Sequence, residues 1–258
     1  YKLDVTLEER VLSVTRDDNV SGADADPVFA VETRAAGPSG IRRVRYARHV
    51  VFAIGYYDHP NLLHVPGEDL PHVHHYQAEP HAYYRQRVVV VGGGNSAAEA
   101  ALELYRAGAQ VTLVHRWPEL KSTIKYWVRP DIDNRIKEGS IAGLFNTTVT
   151  EITPTAVIVS EGIPEHGAAP TRELPADTVF LLTGYRADSA LMTAAGIALD
   201  ERDAPIHDPR TFETNVRGLF VAGGALAGAD TGTVFIENGR FHGQTIIEEI
   251  SRRVAARR

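Results

Sequence analysis

The chain of 258 residues contains no cysteine. It therefore forms no disulfide, builds no thiolate metal site and supplies no cysteine nucleophile of its own. It also lacks an excess of positive charge, with 27 Lys and Arg against 33 Asp and Glu. A net charge of -6 leaves no electrostatic footprint for a nucleic-acid partner. No apolar run approaches the roughly 20 residues that a membrane-spanning helix needs. No membrane partner is expected. There is no internal repeat and no low-complexity tract. Missing cysteines suit a reducing compartment, and a cytoplasmic location is expected. The first residue is Tyr1, not Met, so nothing follows about a leader peptide.

What is present suits a globular α/β protein: 43% hydrophobic and 23% charged residues. Residues 1 to 59 read as β-rich. Val28 to Arg34 alternates, and Val44 to Gly55 suggests a short strand running into a buried one. Residues 60 to 81 hold several prolines and histidines and read as a connector. From Val88 the pattern changes to strand, glycine turn, helix and strand. Phe145 to Gly162 reads as an antiparallel pair around Pro154, and Asp177 to Tyr185 as a buried strand. Arg217 to Gly228 reads as a strand with a glycine turn. A single helix is expected from about Phe235, with Phe241, Ile246, Ile247, Ile250 and Val254 on one stripe. The expected domains are 1–79, 80–188 and 189–258.

The strongest local signal is "VVVVGGGNSAAEAALELYRAGAQVTLVHR" (Val88 to Arg116). Four valines make a strand covered on both faces. Gly92, Gly94 and Ala97 fit G-x-G-x-x-G/A, in which the first glycine permits the turn. The second lets backbone approach a pyrophosphate, and the third position lets helix pack close to strand. Asn95 and Ser96 stand where free N–H groups and the helix dipole favour an anion. In NAD sites an acidic residue ends the second strand, about 20 residues past the first glycine. Here His115 and Arg116 take that place, with Lys121 nearby. A basic set attracts a 2′-phosphate, so NADPH is expected in preference to NADH.

The string "VVFAIGYYDHP" (Val50 to Pro60) resembles the strand and turn of flavoproteins in which an NADPH domain interrupts an FAD domain. Arg217 to Gly243 resembles the point where the FAD domain resumes. Tyr57 to Val73, Gly92 to Arg116, Ile124 to Ile141 and Phe235 to Gly243 together resemble the bacillithiol-disulfide-reductase branch of the thioredoxin-reductase-like flavoproteins. The resemblance implies a Rossmann-like NADPH domain inserted in an FAD domain. It implies hydride transfer from NADPH through FAD to a small-molecule disulfide, and assembly as a homo-oligomer. It places Ala53, Gly55, Gly223, Phe235 and Ile236 near the flavin. Two departures stand out. No G-x-G-x-x-G precedes Gly92, so the first FAD-binding half is expected to be absent. There is no C-x-x-C, which agrees with this branch. Where thioredoxin reductases carry an Asp toward the ribityl chain, this sequence has Gly224.

Other residues leave alternatives open. His72, His74 and His75 read as solvated loop residues, with no persuasive metal spacing. Lys125, Tyr126, Trp127 and Arg129 either line a cleft or pack on their own domain. Glu237, Asn238 and Arg240 either cap a helix or touch the flavin. Gly184 either lets the chain pass close to the nucleotide or makes a turn. No catalytic proton-transfer residue can be named. Two other functions compete: a flavin-dependent monooxygenase, and a non-catalytic NADPH-binding fragment. The monooxygenase motif F-x-G-x-x-x-H fails, because Pro71 stands four before His75.

Overall fold

The structure, a computed structural model, describes residues 3–17, 27–38, 40–162, 170–229, 234 and 236–256. The chain divides into two compact units. One is Tyr1–His59 with Tyr185–Arg258; the other is the uninterrupted Pro60–Gly184. The connector expected to belong with the first segment thus folds with the inserted unit.

The split unit opens with a meander of β1 (Glu9–Arg16), β2 (Phe29–Ala35) and β3 (Arg42–Ala47). Strand β3 has no buried residue and is rich in arginine; it is held by its ladder with β2, and ion pairs lie across the sheet. Arg42 pairs with Glu32, and Arg43 and Arg45 pair with Glu9. Val14 and Phe29 turn the other way, into a core with Phe52, Met192, Leu219 and Val221. Then come β4 (Val50–Phe52) and β5 (His59–Pro60), where the chain leaves this unit.

The inserted unit begins with β6 (Val73–His74) and continues through β7 (Arg87–Val91), α1 (Asn95–Arg106) and β8 (Gln110–Val114). It goes on with α2 (Arg129–Lys137), β9 (Ala142–Leu144), β10 (Thr147–Thr153), β11 (Ala156–Glu161), β12 (Thr171–Pro175) and β13 (Thr178–Leu181). A parallel sheet runs β6-β13-β7-β8-β9, and β10-β11-β12 form a separate antiparallel sheet. The valine run is explained by its two faces. Val88 and Val90 pack on the alanines of α1, while Val89 and Val91 pack with Val149, Val157 and Val159 of the antiparallel sheet. A strand covered on both sides has no polar alternation to show. Gly67 locks the connector onto this unit: a Cβ there would lie 1.8 Å from the Ile152 carbonyl oxygen.

The connector is more structured than its sequence suggests. Val73–His74 is the edge strand of the parallel sheet, and His72, His74 and His75 are half-buried, not solvated. His74 lies 5.3 Å from the Phe180 ring, and burial lowers its pKa.

The chain returns through β14 (Tyr185–Arg186) to α3 (Ser189–Ala194), whose N-cap Asp188 accepts from the Leu191 N–H. β15 (Leu219–Val221) pairs in parallel with β4, Leu219 opposite Val50 and Val221 opposite Phe52. The expected single C-terminal helix is two, α4 (Ile236–Gly239) and α5 (His242–Ala255), broken at Arg240 and Phe241. Of its expected stripe, Ile246 is buried at 1% exposure while Phe241 and Ile247 are 55% and 60% exposed. Helix α5 is held by Ile246 and, beyond it, by charge. Arg253 bonds both carboxylate oxygens of Glu213 at 2.5 and 2.6 Å, and its Nε donates to Glu249 at 2.6 Å. No described helix is long and apolar enough to cross a membrane.

This anchor makes the split unit acid-sensitive. Hydrogen bonds from Arg252, then from Arg253, hold the Glu249 carboxyl at about 2, below its ordinary 4.5. A depressed carboxylate pKa adds stability that is complete above the unfolded value and is lost as pH falls through the folded one. Thermal melts are therefore expected to show wild type losing stability between pH 4.5 and about 2. Glu249→Gln should start lower at pH 7 and show a shallower decline. A parallel decline would remove Glu249 from the anchor.

Candidate functional site

The glycine turn at the carboxyl end of β7 is shaped by three contacts. Gly92 sits at φ +148°, and a Cβ there would meet the Leu182 carbonyl oxygen at 2.4 Å and the Ala97 Cβ at 2.9 Å. The turn is thus pressed between β13 and α1, which leaves room for alanine, not a larger residue, at position 97. Gly94 is the N-cap of α1, and no side chain caps the helix. The first N–H groups of a helix have no intrahelical partner, and here they stand beside open space. The nearest atom to a Cβ at Gly94 is the Lys121 Cδ, at 3.9 Å. An uncapped helix start with an unfilled cradle and a lysine at its rim fits a pyrophosphate.

The segment after β8 is strapped to this turn. Lys121 N donates to the Gly93 carbonyl at 2.9 Å. Asn95 uses both ends of its amide: Nδ2 donates to the Thr123 carbonyl, and Oδ1 accepts from the Lys125 N–H. Its side chain therefore fastens the loop and is not free to meet a phosphate. Ser96 is half-buried beside it. Lys125 reaches Glu99 at 2.7 Å, and Arg129 pairs with Asp133 at 2.7 Å. Tyr126 and Trp127 stack edge to face and are 83% and 61% exposed, so neither packs into the core of its own unit.

The three basic residues divide in their surroundings. Arg116 and Lys121 are exposed, with the Arg116 guanidinium 5.6 Å above the Trp117 ring. His115 is only 5% exposed. Its ring lies directly under Gly93, where a Cβ would fall 2.2–2.4 Å from three ring atoms. Burial lowers its pKa, and the charges of Arg116 and Lys121 lower it further. His115 is thus a buried prop beneath the turn, whereas a phosphate contact was the expectation from its position. Gly93 is the residue that the motif passes over. Its signal was the middle glycine of "GGG", occupying the free position of G-x-G.

Gly184 closes the inserted unit at φ +103°. Its carbonyl accepts from the Asn61 N–H at 2.9 Å, and Thr183 Oγ1 donates to the Asn61 carbonyl at 2.6 Å. Its backbone ties the end of the unit to its beginning.

In the split unit the paired strands β4 and β15 bring Ala53 and Gly55 beside Gly223. The Ala222 N–H donates to the Phe52 carbonyl at 2.9 Å. Gly55 and Gly223 both have φ +67°, and among the described residues nothing lies within 4 Å of a Cβ at either. Two left-handed glycines with open space above them, at the carboxyl ends of adjacent parallel strands, fit a flat cofactor such as a flavin. A Cβ at Gly224 would meet the Tyr56 ring at 2.7 Å, so this position gives up a side chain to an aromatic neighbour. Ile236 is 85% exposed; Phe235 lies outside the described residues. Glu237 and Asn238 are exposed in α4, with Arg240 just after it. Among the described residues no cluster is suited to a metal ion.

A parallel sheet bearing a nucleotide turn, inserted into a second unit with open glycine turns at its strand ends, is the architecture of the two-dinucleotide-binding flavoproteins. Residues 1–223 match the family described as pyridine nucleotide-disulphide oxidoreductase, and the chain belongs to that family. The family's members use FAD and NAD(P)H. The chain is 42% identical over 206 residues to bacilliredoxin reductase Bdr of Bacillus subtilis (strain 168), covering 80% of this chain and 62% of that protein. The solved structure of bacillithiol disulfide reductase Bdr (YpdA) from Bacillus cereus superposes with a TM-score of 0.86 at 37% identity, over 95% of this chain and 71% of that one. Thioredoxin reductase from T. acidophilum, at 22% identity and a TM-score of 0.70 over 93% of this chain and 73% of that one, shares the fold.

The prop beneath the turn is testable. Gly93 does not need a left-handed backbone, so Gly93→Ala probes space alone. It should destabilise the chain and weaken nucleotide binding by displacing the His115 ring. His115→Ala should cost about 1–3 kcal/mol by removing buried contacts. The double variant is expected to be at least about 1 kcal/mol more stable than the sum, because the new methyl occupies the vacated space. Additive losses in denaturant melts would mean the contact does not couple the two residues.

Proposed function

We propose that this chain forms the NADPH site and part of the FAD site of an NADPH-dependent flavin oxidoreductase. Its electron acceptor is a low-molecular-weight disulfide, with bacillithiol disulfide as the leading candidate. The acceptor reading is supported by the 42% and 37% identities to the two Bdr proteins and by the absence of a cysteine pair. FAD, when bound, supplies the relay between a two-electron hydride donor and the disulfide.

The observation that carries the cofactor choice is the end of β8. No acidic residue stands there. Arg116 and Lys121 are exposed, and Lys121 stands at the rim of the uncapped start of α1. On this reading the N–H groups of Gly94, Asn95, Ser96 and Ala97 hold the pyrophosphate. Arg116 and Lys121 hold the 2′-phosphate, and His115 sets the height of the turn. Ala53, Gly55, Gly223, Phe235 and Ile236 border the flavin, whose open glycine cradle is the supporting observation. Assembly as a homo-oligomer is part of the proposal: Val51 and Ile54, around strand β4, are 40% and 36% exposed.

Two measurements test this. Arg116→Ala should weaken NADPH by about 1.5–3 kcal/mol, roughly 10- to 150-fold, while leaving NADH nearly unchanged. Equal losses for both nucleotides would sink the phosphate assignment. The second is the visible spectrum after incubation with FAD, desalting and anaerobic addition of NADPH. A retained flavin band that bleaches is the expected result, followed by its return on adding bacillithiol disulfide. Return only with oxygen would point to an oxidase or monooxygenase.

A further inference from the structure

Beneath the second open turn lies a column of three rings. His207, Phe212 and His242 stack face to face, with centroids 5.8 Å and 4.4 Å apart. Phe212 is held at φ +59°, a left-handed conformation that a bulky residue rarely adopts. The column ends on the backbone of the turn: the Gly223 N–H donates to His242 Nδ1 at 3.1 Å. His242 is the first residue of α5, the helix that Arg253 clamps to Glu213 at its far end. The anchored helix thus delivers an acceptor to a glycine whose added Cβ would meet no atom of the described residues within 4 Å.

We propose that His242 is a positioning residue of the flavin site, fixing the Gly223 turn through its unprotonated Nδ1. The proposal rests on the flavoprotein reading and adds to it the residue that shapes the turn. The hydrogen bond specifies the tautomer. Nδ1 accepts, so the single ring proton sits on Nε2. At His207 the order is reversed, because Nδ1 faces the Pro205 carbonyl at 2.7 Å and must carry the proton there. Protonation of His242 would set two donors against each other and release the turn. Stacking on Phe212 buries the ring and disfavours its charged form, and His207 across Phe212 does so further. The acids on the same loop are engaged elsewhere, Asp208 by Arg210 and Glu213 by Arg253 and the Gly218 N–H. The turn is therefore held at neutral pH and released in acid.

The test uses wild type, His242→Asn and His242→Phe. Asparagine returns an acceptor near the Nδ1 position without a titrating group; phenylalanine keeps the ring and removes the acceptor. Two readouts are needed: the Gly223 amide resonance against pH without cofactor, and FAD affinity by fluorescence quenching against pH. The Gly223 amide of wild type should move with His242 protonation. Wild-type FAD affinity should fall on acidification. His242→Asn should bind like neutral wild type with a flat profile across pH ~5–8. His242→Phe should bind roughly tenfold more weakly, the worth of one such hydrogen bond. A Gly223 amide that ignores His242, or a His242→Phe variant that binds FAD like wild type, overturns the proposal. A wild type whose amide titrates but which binds no FAD overturns the flavin reading and this role with it.

Discussion

The inserted unit turns on one close approach. The Leu182 carbonyl oxygen lies 2.4 Å from where a side chain on Gly92 would begin. Only a glycine lets the ends of β7 and β13 come that near, and the hydrogen bond from Leu182 N to the Val91 carbonyl fixes the approach. With β13 seated, the turn can only rise toward α1, where Ala97 meets it. The open face left above Gly94 is the consequence. The cradle is thus not a hole in the packing but what remains when strand, neighbouring strand and helix are packed as tightly as backbone allows.

The same seating solves the problem of insertion. β4 and β15 pair in parallel although a whole folded unit separates them in sequence. Closing a flexible loop of that length would cost about 2–3 kcal/mol more than closing a short one. The inserted unit avoids this by bringing its own ends together, Asn61 bonded to Gly184. To the split unit, the insertion behaves as a short turn, the condition under which domain insertion is tolerated.

How much of this could be read in the sequence follows from how local each cause is. The nucleotide turn was legible because strand, glycines, helix and second strand occupy 29 consecutive residues, Val88 to Arg116. The antiparallel pair around Pro154 was legible too, but its third strand, Thr171–Pro175, was not: it is mostly exposed and polar, and takes its form from pairing with β11. The edge strand Val73–His74 was hidden among prolines and histidines for the same reason. The C-terminal stripe was only partly legible: Ile246 is buried as expected, but hydrophobic periodicity cannot show that α5 is also docked by Arg253 and Glu213, residues 40 apart in sequence. The triad at β8 was legible as basic residues, yet sequence could not show that one of the three faces inward.

That inward turn links the two candidate sites. Each glycine turn rests on an imidazole, Gly93 on His115 and Gly223 on His242. The two rings work differently. Among the described residues Nε2 of His115 has no hydrogen-bond partner, and the ring meets Gly93 by van der Waals contact. His242 supports Gly223 by accepting its N–H. A prop that acts by contact fixes a height and tolerates rotation of the peptide above it; one that acts by hydrogen bond also fixes the peptide's orientation. A pyrophosphate collected by several convergent N–H groups requires chiefly the height. A flat ring laid against a single glycine turn requires the orientation as well. Burial disfavours the charged form of both imidazoles by the same physics, but only at Gly223 does the proton bear on the shape of the turn.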